Sequence, residues 1–277
     1  MYKTILLHIG RPPTWRRGMR AAADLAKEHE AHLIGLASTG YAVLQNSAAG
    51  AGAFGLYPPI GYDQFRSEAR QRLQEYEQAA AGYAFGSVES RVIDDAAEYA
   101  LALQSRYCDL VLVAGGATTE ASPLLPGRLA GYLALHATRP VLQVATRAEP
   151  RLDGTVVIGW NGGAEASRAM AAALPLLRRA ARVQIAVFNP DQGPHLHGDE
   201  PGADVARYLA RHCSNVAVIN ENTSADPGEA LLDLARSSGA GLIVAGAYGH
   251  SRFREWILGS TTACLLDQDE VAVLMTH

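Results

Sequence analysis

Lysine is almost missing from this chain. Among 277 residues only Lys3 and Lys27 are lysines, and arginine carries the rest of the basic charge. Without a lysine after position 27, no Gly-x-x-x-x-Gly-Lys-Ser/Thr segment exists, which excludes a phosphate loop of that kind. Cysteine is scarce as well. Cys108, Cys213 and Cys264 are odd in number, widely separated and form no Cys-x-x-Cys pair. They read as reduced structural thiols, as expected in a cytoplasm. Positive charge is not in excess: the formal net charge of −4 argues against a binder of phosphate backbones. Long apolar runs are missing too. The opening Thr4-Ile5-Leu6-Leu7 is far too short for a signal sequence or a membrane span, and it reads as a first buried strand. The expectation is a soluble, cytoplasmic protein with neither nucleic acid nor membrane as partner.

The chain does contain an internal repeat. Asp95-Ala96-Ala97-Glu98 corresponds to Asp226-Pro227-Gly228-Glu229 at an offset of 226 − 95 = 131. Both have the Asp-x-x-Glu form of a helix start, and Pro227 suits a first helical position. At the same offset Leu103 meets Leu234, Val111-Leu112-Val113-Ala114-Gly115 meets Leu242-Ile243-Val244-Ala245-Gly246, and Val141-Leu142 meets Ala272-Val273. The first strands, Ile5–Ile9 and Val156–Trp160, correspond at an offset of 151, so the N-terminal copy carries 151 − 131 = 20 extra residues. These fall in the Gly/Ala-rich stretch 38–62, a loop long enough to be functional or mobile. The expected organisation is two domains, 1–147 and 153–277, joined near Pro150. In the second copy, strands are expected near 155–160, 183–188, 216–220, 241–246 and 271–275, with helices near 164–179, 202–213, 227–238 and 259–267. Apolar strands alternating with helices predict two tandem open α/β sheets, mainly parallel and five-stranded, with helices on both faces. Sheets of this kind bind ligands beyond the carboxyl ends of their strands, where strand order reverses.

The second copy places a glycine pattern at that edge. Gly246-Ala247-Tyr248-Gly249 directly follows the strand-like Leu242–Ala245, and nine residues later come Gly259-Ser260-Thr261-Thr262 at an expected helix start. Small residues let backbone approach a ligand closely, and the helix start supplies N–H and hydroxyl donors suited to phosphate. Competing motifs fail on context. Gly50-Ala51-Gly52-Ala53-Phe54-Gly55 spells a dinucleotide fingerprint, but it sits in the inserted loop with Pro58-Pro59 where a helix should begin. His8-Ile9-Gly10-Arg11 lacks the second histidine of an adenylate-transfer signature. His195-Leu196-His197-Gly198-Asp199-Glu200, flanked by Pro194 and Pro201, reads as a solvated turn rather than a metal site. Arg66 to Arg72, interleaved with Glu68, reads as a charged solvent face.

With its GxxGx9G(S/T) pattern, its doubled unit and the segment Val156-Val157-Ile158-Gly159-Trp160-Asn161-Gly162-Gly163-Ala164-Glu165-Ala166, the chain resembles a tandem universal stress protein. The resemblance implies a Rossmann-like fold and ATP or AMP, with or without Mg2+, bound between the first and fourth strands. It places Asn161 where the family usually has an aspartate that contacts the nucleoside, and Val187 beside adenine. Gly246, Gly249, Gly259, Ser260, Thr261 and Thr262 would hold ribose and phosphates. In the first copy Thr118, Arg128 and Leu129 stand opposite Gly249, Gly259 and Ser260, and Arg11-Pro12-Pro13 replaces Gly162-Gly163-Ala164. One competent site, in the second copy, is therefore expected. No nucleophile–base pair, paired carboxylates or motif lysine points to catalysis beyond slow ATP hydrolysis. The expected role is a nucleotide-binding regulator of the stress response, read by an unidentified protein partner. The two copies would form a pseudo-dimer, and a homodimer of chains could assemble on top of it. The alternatives are a nucleotide-independent scaffold acting through loop 38–62 and an ATP-consuming transferase using His8.

Overall fold

The computed structural model of the protein describes residues 1–10, 14–41, 61–83, 86–116, 129–147, 151–192, 198–247 and 259–277. Most of the inserted loop, the His195–His197 turn, Thr118, Arg128 and Gly249 lie outside the described residues. Two compact units are present, Met1–Arg139 and Pro140–His277. Among the described residues no helix is long and apolar enough to cross a membrane.

The first unit runs β1 (Thr4–His8), α1 (Thr14–His29), β2 (His32–Ser38), α2 (Tyr62–Ala81), β3 (Val88–Ile93), α3 (Ala97–Gln104), β4 (Leu110–Ala114) and α4 (Leu129–His136). Its strands lie in the order β3-β2-β1-β4, and every pairing is parallel. Every residue of β4 is buried, as an unbroken apolar strand covered on both faces requires.

The second unit contains β5 (Val141–Val144), β6 (Thr155–Gly159), α5 (Ala164–Leu177), β7 (Arg182–Phe188), α6 (Ala203–Leu209), β8 (Val216–Glu221), α7 (Pro227–Ser238), β9 (Ala240–Gly246), α8 (Ser260–Asp267) and β10 (Ala272–Thr276). Strand order is β5-β10-β9-β6-β7-β8, parallel except for β5, which runs antiparallel to β10. β6 to β10 and their helices stand within a few residues of the positions the apolar pattern predicts. The buried stripe on α5, Ala166, Ala169, Met170, Ala173, Leu176 and Leu177, has the spacing of one helical face. Strand order reverses at β6 in this unit and at β1 in the other, and the carboxyl ends of those strands frame the edge where sheets of this kind bind ligands.

Two details depart from the repeat. The Asp-x-x-Glu segments do not act alike. Asp226 caps α7, its Oδ1 accepting the Gly228 N–H at 2.7 Å, with Pro227 fixing the first turn. In the first copy Ala96 has an extended backbone, the Asp95 carboxylate accepts the adjacent Ala96 N–H at 2.8 Å, and the helix begins at Ala97. With no proline to preset φ, the chain enters the helix one residue later.

The second detail concerns β5, which duplication assigns to the first copy and which docks on β10. Gln143, 2% exposed, donates from Nε2 to the carbonyls of Leu266 and Gln268 at 3.2 and 3.4 Å. The Asp269 carboxylate accepts the Thr146 N–H at 2.5 Å and the Thr146 hydroxyl. A sheet edge that would otherwise be open is thus paired and pinned.

Candidate functional site

At the carboxyl end of β6 the chain makes a tight turn into α5. Trp160 N–H bonds to the Ala186 carbonyl at 2.9 Å, continuing the ladder with β7 for one residue. The exposed Asn161 then folds back, its Oδ1 accepting the Gly163 N–H at 2.9 Å, while Gly162 takes a left-handed φ of 73°. Asparagine closes this turn as aspartate would, but without the negative charge.

Gly246, the last residue of β9, meets the other side of the same helix start. A Cβ there would lie 2.5 Å from Ala166 N and 2.6 Å from the Glu165 carbonyl carbon. This glycine is required for the first turn of α5 to pack on the strand, the role the last glycine of a dinucleotide fingerprint plays. Ala247, fully buried, bonds through its N–H to the Thr276 carbonyl at 3.0 Å and holds the chain at the sheet edge.

Gly259 is different. It is the N-cap of α8 with φ −57° and ψ 145°, a conformation open to any residue, and nothing among the described residues lies within 4 Å of where its Cβ would be. Ser260 follows at the first helical position and is exposed, Thr261 is half-buried, and Thr262 is 3% exposed. The first N–H groups of this helix have no partner within the helix, so the helix start is a set of donors with the positive end of the dipole behind it.

Ser260 Oγ donates to Asp226 Oδ2 at 2.6 Å. The starts of α7 and α8 are therefore joined, and Gly228 permits the close approach: a Cβ there would be 3.0 Å from Thr261 O and Cys264 Cβ. Burial, then the nearby Asp226, Glu229 and Asp267 carboxylates, raise the Cys264 thiol above its ordinary range. The helix start thus combines a positive backbone end with an acidic surround. Sequence reasoning gave Asp226 only a capping role, and no sequence signal showed that it would also reach Ser260, 34 residues away.

Val187 is fully buried. Its Cγ2 faces Gly202, where an added Cβ would be 3.2 Å away, so what it presents at the edge is backbone rather than side chain.

The matching edge of the first unit is built from other residues. The ladders pair His8 with Leu36 and Gly159 with Ala186, so Ile9, Gly10 and Ser38 correspond to Trp160, Asn161 and Phe188. Arg72 of α2 donates from Nη1 to the Ile9 carbonyl at 3.2 Å and from Nη2 to the Ser38 carbonyl at 2.7 Å. Burial and the Arg72 charge push the His8 pKa down to about 4, so the imidazole is neutral at pH 7. Leu129, opposite Ser260, is fully buried.

Two open α/β units, with strand order reversing at β1 in one and at β6 in the other, define a doubly wound α/β protein. Residues 155–277 match the model of the universal stress protein family. The match covers the second unit, which carries a universal stress protein domain, and the first unit repeats the same strand–helix arrangement. A universal stress protein from Archaeoglobus fulgidus DSM 4304 has a similar structure at 15% identity and a TM-score of 0.70, over 99% of this chain and 97% of that one. A functionally unknown protein from Pseudomonas aeruginosa PAO1 is similar at 17% identity and a TM-score of 0.58, over 99% of this chain and 92% of that one. No curated protein matches the chain in sequence.

Proposed function

We propose that the protein is a stress-response regulator that binds one adenine nucleotide, ATP or AMP, at the carboxyl edge of its second unit. Gly259 carries this reading. It sits at a helix start with an ordinary backbone conformation, and no described residue lies within 4 Å of where its side chain would begin, so neither its φ nor the packing of the described residues demands a glycine. Close approach of a ligand to the backbone supplies the missing reason. Ribose and phosphates would lie along Gly246, Gly249, Gly259, Ser260, Thr261 and Thr262, with Asn161 near the nucleoside and the backbone of Val187 near the base. Among the described residues no group of three or more His, Cys, Asp or Glu could hold a metal ion. A Mg2+ accompanying ATP would accordingly be held mainly by the phosphates.

The domains we assign by duplication are 1–147 and 153–277, with the second competent for nucleotide. Occupancy would bias a conformation read by a protein partner in the cytoplasm, and hydrolysis would be slow at most. A homodimer of chains belongs to the same proposal. The decisive experiment is to denature the purified protein and quantify the adenine nucleotide released. About one per chain is expected, and none even after incubation with ATP or AMP would favour the nucleotide-independent scaffold.

A further inference from the structure

The equivalent edges of the two units differ in exposure. His8, Ile9, Gly10 and Ser38 are all buried in the first unit, whereas Gly159, Trp160 and Phe188 are half-buried and Asn161 exposed in the second. The first unit covers its edge with its own side chains. Arg72 reaches over the ends of β1 and β2 and donates to one carbonyl on each, at 3.2 and 2.7 Å. The His8 ring lies over Gly10, where an added Cβ would be 2.9 Å from its Cε1. His8 is 4% exposed, and its Nε2 has no hydrogen-bond partner among the described residues. Arg72 stands on a helix of 20 residues, α2, while the α-helix described in the corresponding connection of the second unit, α6, has 7 residues.

Backbone carbonyls at the ends of adjacent strands are the acceptors that an amino-purine edge uses, and a planar guanidinium presents the same kind of donors. We propose that Arg72 is a built-in occupant of the first unit's crevice, and that this side chain excludes a nucleoside from the unit. The proposal rests on the reading that the second unit binds an adenine nucleotide at its equivalent edge. It goes beyond the loss of the glycines and hydroxyls, which accounts only for the phosphates. With Leu129 buried where the other copy has Ser260, the ligand class that fits a vacated crevice is a nucleoside without phosphates.

The test is equilibrium dialysis of labelled adenosine against the full chain, with hydrogen exchange locating the bound molecule. Wild type is expected to bind one adenosine per chain, protecting peptides of the second unit. Arg72→Ala is expected to bind two, with new protection at residues 5–10 and 33–41. Arg72→Lys, which keeps a cationic donor in the crevice, should stay at one. Arg72→Met preserves the aliphatic stem and replaces Arg72→Ala if that variant loses its native exchange pattern. A natively folded Arg72→Ala or Arg72→Met chain that still binds only one adenosine overturns the proposal. If wild type binds none while Arg72→Ala binds one in the first unit, the second-unit site fails and the role of Arg72 stands.

Discussion

In the first unit the carboxyl edge of the sheet is packed with His8, Arg72 and Leu129, and all four edge positions from His8 to Ser38 are buried. In the second unit the same positions carry Gly159, Trp160, Asn161 and Phe188, and the helix beyond starts with Gly259 and Ser260 rather than a buried leucine. A parallel sheet leaves unpaired carbonyls and N–H groups at this edge, and they must be met by side chains, water or a ligand. The first unit meets them with its own side chains. In the second, no described residue fills the space beside Gly259 at the helix start. Duplication makes this division possible, since either copy can lose the crevice while the other keeps it.

The largest expected effect comes from making the first unit imitate the second. Leu129→Ser gives α4 the residue that α8 has, but at a position with no exposure. It removes buried apolar contact and leaves a hydroxyl without a built partner, at a cost of roughly 3–5 kcal/mol. Hydrogen exchange in β1 and β4 should accelerate, with no gain in nucleotide. If the first unit stays protected, Leu129 is not part of its core and the contrast with Ser260 fails.

Acid should separate the units next. His8 has its folded pKa lowered to about 4 from an ordinary 6.5, so above pH 6.5 both folded and unfolded forms are neutral. As pH falls from 6.5 towards 4 the unfolded chain takes up a proton that the folded chain refuses, and stability drops by an amount on the order of 3 kcal/mol. His29 and His136, both lowered chiefly by burial, act in the same direction. Unfolding of the first unit followed by exchange at pH 7 and pH 4.5 should show this loss, and His8→Leu should reduce it. An unchanged slope in His8→Leu would mean that His8 is not the group excluded from protonation.

Gly259→Val probes the second unit without touching its fold. The φ of −57° suits valine and its Cβ would meet no described residue, so the cost in stability should stay below about 1 kcal/mol, that of a poorer N-cap. Bound nucleotide should fall by roughly 100-fold in affinity, equivalent to about 2.7 kcal/mol. Gly246→Val is the contrasting variant. Its Cβ would meet Ala166 N at 2.5 Å, so it should destabilise the packing of α5 on β9 whether or not nucleotide is bound. Equal loss of stability in both variants would remove the argument from Gly259.

These two glycines show how far the sequence could be read. Apolar runs alternating with helical patterns and the 131-residue offset were enough to place the strands and helices of the second unit, because burial on both faces leaves a strong apolar signal. The glycines were legible as a pattern but not by cause. Gly246 is explained by a helix packing against it and Gly259 by nothing among the described residues, and both look alike as letters. Arg72 was read as part of a charged solvent face because its neighbours on α2 alternate in sign. Its hydrogen bonds go to Ile9 and Ser38, 63 and 34 residues away, and no local pattern encodes a contact of that separation. The β5–β10 pairing escaped for the same reason.

The smallest effect tests the acidic side of the open edge. Asp226 Oδ1 caps α7 and Oδ2 holds Ser260 Oγ at 2.6 Å, so a phosphate at this helix start would have a carboxylate close by. Two unit charges about 5 Å apart repel by about 3 kcal/mol at an effective dielectric constant of 20 and by less than about 1 kcal/mol in water. The site is partly exposed, which places the expected value near the lower figure. Asn is as good an N-cap as Asp, so Asp226→Asn should keep α7 intact while binding ATP about 3–10-fold more tightly. Adenosine, which carries no phosphate, should be unaffected, and the gain for ATP should shrink as salt is raised from 0.05 to about 0.5 M. Titration calorimetry with ATP and adenosine at both salt concentrations distinguishes the outcomes. Weaker ATP binding in Asp226→Asn would mean that the carboxylate helps to hold the phosphates, through Ser260 or a bridging Mg2+, and would reverse the sign assigned to it.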